Sequence, residues 1–235
     1  MTYPNLIAIG GLKNCGKDTV SEMIQYLLNS PKILHKYRYY KLFKNLFKRK
    51  YTVISFASKL KQTLSTLLDI PVKQFNNRNF KENFYIYFPT LDLTDNPPKD
   101  KVISDNKFVK FINKNDFTFI QDYYITIRQL MQYFGTSVMR GFFGDKLWIL
   151  LTLKNNKSII SDLRFKVEYN EIKVKNGYTI YVSRPGTIQG NHASEKEVVE
   201  LYKDECFDTI IINNGSLEDL FNKCKNIVYS WQQKI

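Results

Sequence analysis

The sequence has few cysteines and no long apolar run, and each shortage excludes a class of protein. The three cysteines, Cys15, Cys206 and Cys224, show neither metal-ligand spacing nor a paired framework, which excludes a disulfide scaffold and a cysteine-based metal module. The longest mostly apolar run, Leu147–Leu153, is far too short to span a bilayer. We expect no signal peptide before the first strand. The sequence therefore predicts a cytoplasmic protein in a reducing compartment, with no membrane partner.

Acidic residues are also scarce. The chain has 22 Asp and Glu but 35 Lys and Arg, so its net charge is +13. This surplus predicts anionic partners, either nucleotides or nucleic acid. Much of it lies in residues 32–50, which hold eight Lys or Arg, no acid and several aromatic residues. Such a mixture can follow a nucleic-acid backbone. The alternative, which we favour, is a solvated helix whose Phe43, Leu46 and Phe47 face the core.

Apolar and amphipathic runs alternate along the chain, with no internal repeat. Strands are predicted at Leu6–Ile9, Val53–Phe56, Lys157–Ser161, Tyr178–Ser183 and Phe207–Ile212. Helices are predicted after residue 16, at Ala57–Leu68, Ile125–Met139, Asp145–Leu153 and Val167–Lys175, and after Ser194 and Ser216. The pattern predicts an α/β fold, one domain over residues 1–235 with a parallel sheet and helices on both faces. We interpret residues 72–120 as an inserted lid or substrate-side subdomain, because structureless loops of this length are uncommon.

A glycine-rich turn follows the first predicted strand. Residues 10–19 read Gly-Gly-Leu-Lys-Asn-Cys-Gly-Lys-Asp-Thr, and the spacing of Gly11, Gly16 and Lys17 is that of a phosphate-binding P-loop. Glycines let the backbone N–H groups turn toward one phosphate chain, and the helix that starts near Gly16 adds its positive dipole end. Lys17 would reach the β- and γ-phosphates. Cys15, inside the loop, is a small residue there or a reactive thiol.

One position departs from the common P-loop pattern. Asp18 stands where Ser or Thr usually holds Mg²⁺, and Thr19 follows it. Asp18 could hold a metal-bound water, orient Lys17, or leave the hydroxyl role to Thr19. It would also be favourable simply as an acid at a helix N-terminus.

A second signal comes from an apolar strand that ends in an acid. Residues 159–162 read Ile-Ile-Ser-Asp, an arrangement that places a carboxylate beside a P-loop for Mg²⁺ or its water. We therefore assign Asp162 to the metal together with Asp18 and Thr19. Arg164 lies two residues further on, at the strand edge where ligands bind in open α/β sheets. It would neutralise phosphoryl charge, or else lie on the surface over the following helix.

A third signal is the run Ile-Arg-Gln-Leu-Met-Gln-Tyr-Phe-Gly-Thr at residues 127–136. Arg128 and Gln132 are four residues apart and share a helix face, so together they could hold an acceptor's phosphate and base edge. The run could also be an ordinary amphipathic helix. Trp148, further along, is either a core residue or a platform for a base.

Several segments then occur in a particular order. They are Gly-Leu-Lys-Asn-Cys-Gly-Lys-Asp-Thr, the 127–136 run, Ser-Asp-Leu-Arg-Phe-Lys-Val-Glu, Val-Ser-Arg-Pro-Gly, His-Ala-Ser-Glu and Asn-Asn-Gly-Ser-Leu-Glu-Asp-Leu-Phe. This series resembles the deoxynucleoside monophosphate kinases of tailed phages and large DNA viruses, from Asn5 to about Tyr229. The resemblance implies a P-loop kinase fold related to adenylate kinase, with the host cytoplasm as its location. It also implies transfer of the γ-phosphoryl of ATP to a deoxynucleoside 5′-monophosphate with Mg²⁺, and leaves a homodimer open.

The resemblance also assigns residues to roles. The ATP-binding set is Gly11, Lys13, Asn14, Cys15, Gly16, Lys17, Asp18, Thr19 and Arg184. The monophosphate-binding set is Lys13, Arg128, Gln132 and Trp148. The catalytic set is Lys17, Arg128, Asp162 and Arg164. His192 lies in a segment that the family keeps near the nucleotide, without an assigned role, and the basic stretch has no counterpart.

The predicted mechanism is direct in-line transfer without a covalent intermediate. The acceptor is already an oxyanion and needs no general base, so catalysis rests on positioning and charge neutralisation. A closing lid would exclude water. Two other classes stay open: another small-molecule P-loop kinase, for phosphomevalonate or a CoA precursor, and a nucleic-acid-binding NTPase.

Overall fold

The computed structural model describes residues 3–47, 50–87, 102–103, 124–153, 157–190 and 193–233. Its strands are β1 (Leu6–Gly10), β2 (Thr52–Ile54), β3 (Tyr85–Tyr87), β4 (Val102–Ile103), β5 (Tyr124–Thr126), β6 (Ser158–Leu163), β7 (Tyr178–Ser183) and β8 (Thr209–Ile212). Its α-helices are α1 (Lys17–Asn29), α2 (Tyr37–Phe43), α3 (Phe56–Leu68), α4 (Arg78–Asn83), α5 (Ile127–Tyr133), α6 (Met139–Phe143), α7 (Leu147–Thr152), α8 (Lys166–Val174), α9 (Ala193–Lys203) and α10 (Leu217–Gln233). The chain divides into two compact units, Met1–Phe56 with Ile149–Ile235, and Ala57–Trp148.

The first unit is built on a five-stranded sheet with the order β2-β6-β1-β7-β8. Each neighbouring pair in this sheet runs parallel. Strand β1 lies at the centre, where Ile7 is in register with Ile159 of β6 and Tyr178 of β7. The parallel sheet with its connecting helices confirms the α/β class predicted from the alternating runs.

The central strand shows why the sequence forms this sheet. Ile7, Ala8 and Ile9 are completely buried, as expected for a parallel strand covered on both faces, which reads as a continuous apolar run. Full burial of one isoleucine side chain stabilises the fold by about 1.5–3 kcal/mol. At the edge of the sheet the pattern changes, because Ile210 and Ile212 of β8 are about half exposed.

Helices α1 and α10 pack against each other on this core. In α1 the buried side chains recur at helical spacing and include Val20, Ile24 and Leu27, which gives the helix one apolar face. Helix α10 begins after Ser216, whose Oγ accepts a hydrogen bond from the backbone N–H of Asp219 at 3.1 Å. Ser216 is thus the N-cap of the helix predicted after it, and its hydroxyl satisfies a backbone donor that the helix leaves unpaired.

The second unit holds a three-stranded sheet with the order β4-β3-β5. Strands β3 and β4 are parallel and β3 and β5 are antiparallel. Two short helical segments precede it, a 3₁₀ turn at Val72–Asn76 and helix α4. Most of residues 72–120 lies outside the described residues, so its interpretation as an inserted lid or subdomain stays a prediction.

The predicted long helix over Ile125–Met139 is instead broken into several elements. Strand β5 and helix α5 are followed by a π-helical segment, Phe134–Val138, and then by α6. Thr126 and Gln129 form a capping box that starts α5 after the strand, so the helix cannot extend back to residue 125. The π segment contains Gly135, whose carbonyl accepts the indole N–H of Trp148 at 2.8 Å. Tertiary packing therefore overrides the continuous helical periodicity.

The predicted packing of the basic stretch is partly wrong. Helix α2 covers only part of it, and Tyr40 is the buried residue there, packed against Phe221 with ring centroids 5.4 Å apart. Leu46 is 69% exposed and Phe43 is 36% exposed, whereas Phe47 packs against the core as predicted. The helix ends at Phe43, so the assumed periodicity does not extend to Leu46.

Candidate active site

The glycine-rich turn after β1 requires two glycines for its backbone. Gly11 has φ of 146°, and a Cβ there would lie 2.5 Å from the carbonyl oxygen of Val182. Gly16 has φ of 99°, and a Cβ there would lie 2.5 Å from Nδ2 of Asn213. A side chain at either position would be strained in conformation and would also clash. Asn14, between them, adopts a left-handed φ of 66°, which asparagine tolerates better than most residues.

Lys17 is the first residue of α1 and is 7% exposed. Its Nζ donates a hydrogen bond to the carbonyl oxygen of Leu12 at 3.3 Å, so the side chain folds back along the turn. Burial lowers the pKa of Lys17, and the charge of Arg164 lowers it further; Cys15, Asp18 and Asp162 act in the opposite direction. The predicted catalytic charges Lys17, Asp162 and Arg164 therefore lie close enough to influence one another.

The remaining loop residues differ in exposure. Asp18 is exposed, whereas Lys13 and Thr19 are half-buried. Cys15 is fully buried, and burial raises the pKa of its thiol although Lys17 opposes this. A thiol with a raised pKa is less often ionised, so this placement favours the small-residue role of Cys15 over the reactive one.

Asn213 is a loop contact that the sequence did not reveal. It follows β8, and its Nδ2 donates to the carbonyl oxygen of Cys15 at 2.9 Å. Its backbone N–H donates to the carbonyl oxygen of Ser183 at 2.7 Å. Asn213 thus ties the phosphate loop to the ends of β7 and β8. In the sequence it was visible only as part of an Asn-Asn-Gly turn and of the last segment of the resemblance.

Asp162 lies near the end of β6, which is hydrogen-bonded to β1. Its Oδ1 accepts the backbone N–H of Phe56 at 2.8 Å. Phe56 is the first residue of α3, so the carboxylate also occupies the positive end of that helix. The strand thus carries the acid toward the loop, as the sequence predicted, and the acid also fixes the start of a helix.

Arg164 follows β6 and is held at two points. Its backbone N–H donates to Oε2 of Glu168 at 2.9 Å, and the N–H of Phe165 donates to the same oxygen at 3.1 Å. Its guanidinium Nη1 lies 3.5 Å from Oε1 of Glu195 and 3.4 Å from Oγ of Ser194. The sequence identified Arg164 but gave neither buried glutamate a role, although Glu168 lies only four residues further on and both glutamates end segments of the resemblance.

Arg184 lies in the loop after β7. Arg184 is exposed, and its carbonyl accepts hydrogen bonds from the N–H and Oγ1 of Thr187 at 3.2 and 2.7 Å. His192 lies outside the described residues. Arg184 is therefore accessible to a ligand, and its predicted role toward ATP stays a prediction.

The predicted acceptor residues lie in the second unit. Arg128 of α5 forms an ion pair with Glu82 of α4, with Nη2 and Oε1 3.1 Å apart. Its Nε is buried without a hydrogen-bond partner among the described residues. Gln132, on the same helix, is half-buried. A half-buried arginine with a donor left over is chemically suited to an anion such as a phosphate.

Trp148 is 3% exposed. Its buried indole and the hydrogen bond to Gly135 favour the core role over the stacking role. Its assignment to the monophosphate stays a prediction.

The oxygen donors near the loop are of the kind that Mg²⁺ binds. Mg²⁺ is usually bound by one or two carboxylates together with substrate phosphates and water. Asp18, Thr19 and Asp162 supply two carboxylates and a hydroxyl. Within the described ranges, no group of three or more His, Cys, Asp or Glu side chains could hold a metal alone. Such a sparse oxygen set suits an ion that arrives with a nucleotide.

Comparison with known proteins identifies the family of this chain. Residues 5–224 match the family model described as deoxynucleotide monophosphate kinase. The chain belongs to this family. This confirms the family and the kinase class predicted from the order of the segments.

Viral proteins of the deoxynucleotide monophosphate kinase family are among the relatives. The enzyme of Enterobacteria phage T4 is 26% identical over 94% of this chain and 97% of its own length. A putative one from Acanthamoeba polyphaga mimivirus is 31% identical over 42% of this chain and 58% of its own length. That of Escherichia phage RB69 is 29% identical over 44% of this chain and 45% of its own length. Among solved structures, dephospho-CoA kinase from Campylobacter jejuni aligns over 97% of this chain and 98% of its own, with a TM-score of 0.40 and 17% identity.

No helix in the described part of this deoxynucleotide monophosphate kinase family member has both the length and the apolar character needed to cross a bilayer.

Proposed function

We propose that the chain transfers the γ-phosphoryl group of ATP to a deoxynucleoside 5′-monophosphate. The products are ADP and the deoxynucleoside diphosphate. The observation that carries the proposal is the pairing of β6, which holds Asp162 and leads to Arg164, with β1, which leads to the loop that ends at Lys17. The chain belongs to the deoxynucleotide monophosphate kinase family. The names of the viral relatives support the acceptor class.

In the reaction, an oxygen of the acceptor monophosphate attacks the γ-phosphorus in line with the leaving ADP. The bond from the γ-phosphorus to the β–γ bridging oxygen breaks, and its electron pair leaves with ADP. Backbone N–H groups of the loop and the ammonium of Lys17 hold the phosphates. Arg164 neutralises charge that spreads over the transferred group. No proton has to be removed from the acceptor, so no base is assigned.

The acceptor role falls to Arg128 and Gln132. Arg128 would exchange part of its contact with Glu82 for the acceptor phosphate, and Gln132 would meet the base. A guanidinium can form two parallel hydrogen bonds to a phosphate, which fixes orientation as well as charge. Binding of this kind organises the acceptor before the transfer step.

Magnesium would be held by Asp18, Thr19 and Asp162 together with the nucleotide. When bound, Mg²⁺ withdraws charge from the β- and γ-phosphates. The backbone N–H of Phe56 already orients the Asp162 carboxylate.

A coupled assay of ADP release with a panel of acceptors tests the proposal. The panel contains the four common deoxynucleoside monophosphates, their ribonucleotide counterparts, phosphomevalonate, dephospho-CoA and single-stranded DNA. We expect ADP release with one or more deoxynucleoside monophosphates and none with phosphomevalonate. Turnover on phosphomevalonate or dephospho-CoA with none on any deoxynucleotide would contradict the proposal, and so would ATP hydrolysis that only DNA stimulates.

A further inference from the structure

Glu195 is a buried acid beside the proposed site and has no role in the mechanism so far. It lies in the first turn of α9 and is 8% exposed. A carboxylate is rarely buried to this extent unless it is paired. Its two oxygens bind different groups, and the identity of these groups indicates its role.

The first oxygen contacts the arginine of the site. Oε1 of Glu195 lies 3.5 Å from Nη1 of Arg164. Ser194, the preceding residue, contacts the same nitrogen through its Oγ at 3.4 Å. Both contacts involve one nitrogen of a group that has five N–H donors. This arrangement fixes the direction of the guanidinium without the two-point pairing that would compete with a phosphate.

The second oxygen contacts the loop that follows β7. Oε2 of Glu195 accepts the backbone N–H of Gly190 at 2.6 Å. A Cβ at residue 190 would lie 2.8 Å from this oxygen, so the backbone can approach the carboxylate this closely because residue 190 is glycine. The loop it anchors begins with Arg184, the residue proposed to face ATP.

We infer that Glu195 is a positioning residue that orients Arg164 toward the transferred phosphoryl group and fastens the Arg184–Gly190 loop to the same carboxylate. The inference rests on the proposed kinase function. Arg164 acts only if its guanidinium points at the place where charge develops, and a misplacement of about 1 Å can cost about 10²-fold in rate. One carboxylate thus couples the order of the nucleotide-side loop to the geometry of the catalytic arginine.

The variant Glu195→Gln tests this coupling, because an amide oxygen can still accept from Gly190 but the charge that attracts Arg164 is lost. By analogy with groups that orient metal ligands, we expect kcat to fall about 10–100-fold. The KM for the acceptor should stay unchanged. The matched control is Glu197→Gln, which removes the same charge two residues along α9, where Oε2 accepts the N–H of Lys166 at 2.8 Å. The control should keep the wild-type kcat.

A double-mutant cycle separates positioning from a general structural effect. If Glu195 acts through Arg164, then Glu195→Gln should not lower kcat further in an Arg164→Ala background. Multiplication of the two effects would overturn the inference, and so would a Glu195→Gln enzyme indistinguishable from the Glu197→Gln control. Thermal unfolding of each variant is measured alongside.

Chemical rescue gives a second measurement that remains valid if Glu195→Gln is less stable. Added guanidinium ion should restore part of the turnover of Arg164→Ala, because Glu195 still offers its binding place. Rescue should be absent from Arg164→Ala/Glu195→Gln, and equal rescue in both would overturn the inference.

If the wild-type chain phosphorylates no acceptor in the panel, the proposed function fails. An active wild-type enzyme that is insensitive to Glu195→Gln would refute only the role of Glu195.

Discussion

At the scale of single residues, the site depends on a few side chains whose surroundings set their chemistry. Lys17 is buried and folded along its own loop, Asp162 caps a helix, and Arg164 is held by two glutamates. Lys17 and Arg164 have partners a few residues away, whereas the contacts of Asp162 with Phe56 and of Arg164 with Glu195 join distant parts of the chain. The residue types could therefore be identified from the motifs, whereas their partners Glu168, Glu195 and Asn213 could not.

Replacement of Lys17 by alanine should remove phosphoryl transfer while the fold stays intact. Loss of one such charge-stabilising group costs roughly 10²–10³ in rate. Steady-state turnover with saturating ATP and acceptor measures the loss, and circular dichroism checks the fold. A folded variant with near-normal turnover would show that the reaction does not use this loop.

Asn213→Ala should weaken ATP binding, because the loop loses the hydrogen bond from Nδ2 to the carbonyl oxygen of Cys15. A net hydrogen bond contributes about 0.5–1.5 kcal/mol, so we expect the KM for ATP to rise about 2- to 10-fold with a smaller change in kcat. The matched control is Asn214→Ala, whose side chain accepts from Lys223 instead. Equal KM values for both variants would refute the role of Asn213.

At the scale of elements, continuous apolar runs predicted the strands well because parallel strands are buried on both faces. Tyr178–Ser183 has the predicted bounds, and the other central strands differ at their ends by only a few residues. Prediction failed where packing between distant residues decides the local structure. The π segment at Phe134–Val138 and the early end of α2 are two such places.

Asp208 joins three elements and yields a prediction on stability. Its carboxylate accepts from Nζ of Lys173 on α8 at 2.9 Å, and from the N–H and Oγ1 of Thr179 on β7 at 2.8 Å. Burial tends to raise the pKa of Asp208, but the hydrogen bonds from Lys173 and Thr179 outweigh it and hold the pKa below its usual value. The ionised carboxylate is therefore the form that stabilises the fold.

We expect Asp208→Asn to lower the free energy of unfolding at pH 7 by about 1–2 kcal/mol. Because the pKa is lowered in the folded state, this stabilisation is present above the unfolded pKa, near 3.9, and is lost as pH falls through the folded value. Urea denaturation at pH 7 and pH 3 should show a smaller difference at the lower pH. Asp204→Asn, an exposed position nearby, is the control. A difference that grows toward pH 3 would contradict the assignment.

At the scale of the whole molecule, the order of the motifs identified the family although each motif alone was common. The family match over residues 5–224 confirms this. The division at Ala57–Trp148 was not predicted, since the sequence placed an insertion at residues 72–120 within a single domain.

The two predicted arginines should affect different kinetic constants. Arg128→Ala should raise the KM for the acceptor about 10-fold or more, because it removes a binding contact, whereas Arg164→Ala should mainly lower kcat. The matched control is Arg78→Ala, since Arg78 also pairs with Glu82 at 3.1 Å but is more exposed. Initial rates with saturating ATP and varied acceptor provide both constants. An unchanged acceptor KM in Arg128→Ala would remove this helix from the acceptor site.

The central claim is direct transfer from ATP to a deoxynucleoside monophosphate, and the fate of a labelled γ-phosphate tests it most directly. The chain is incubated with γ-labelled ATP, Mg²⁺ and the acceptors, and the products and the protein are separated and counted. We expect the label in a deoxynucleoside diphosphate and none on the protein, with formation of that product abolished in Lys17→Ala. Label found only in inorganic phosphate, on the protein or in diphosphomevalonate would contradict the account.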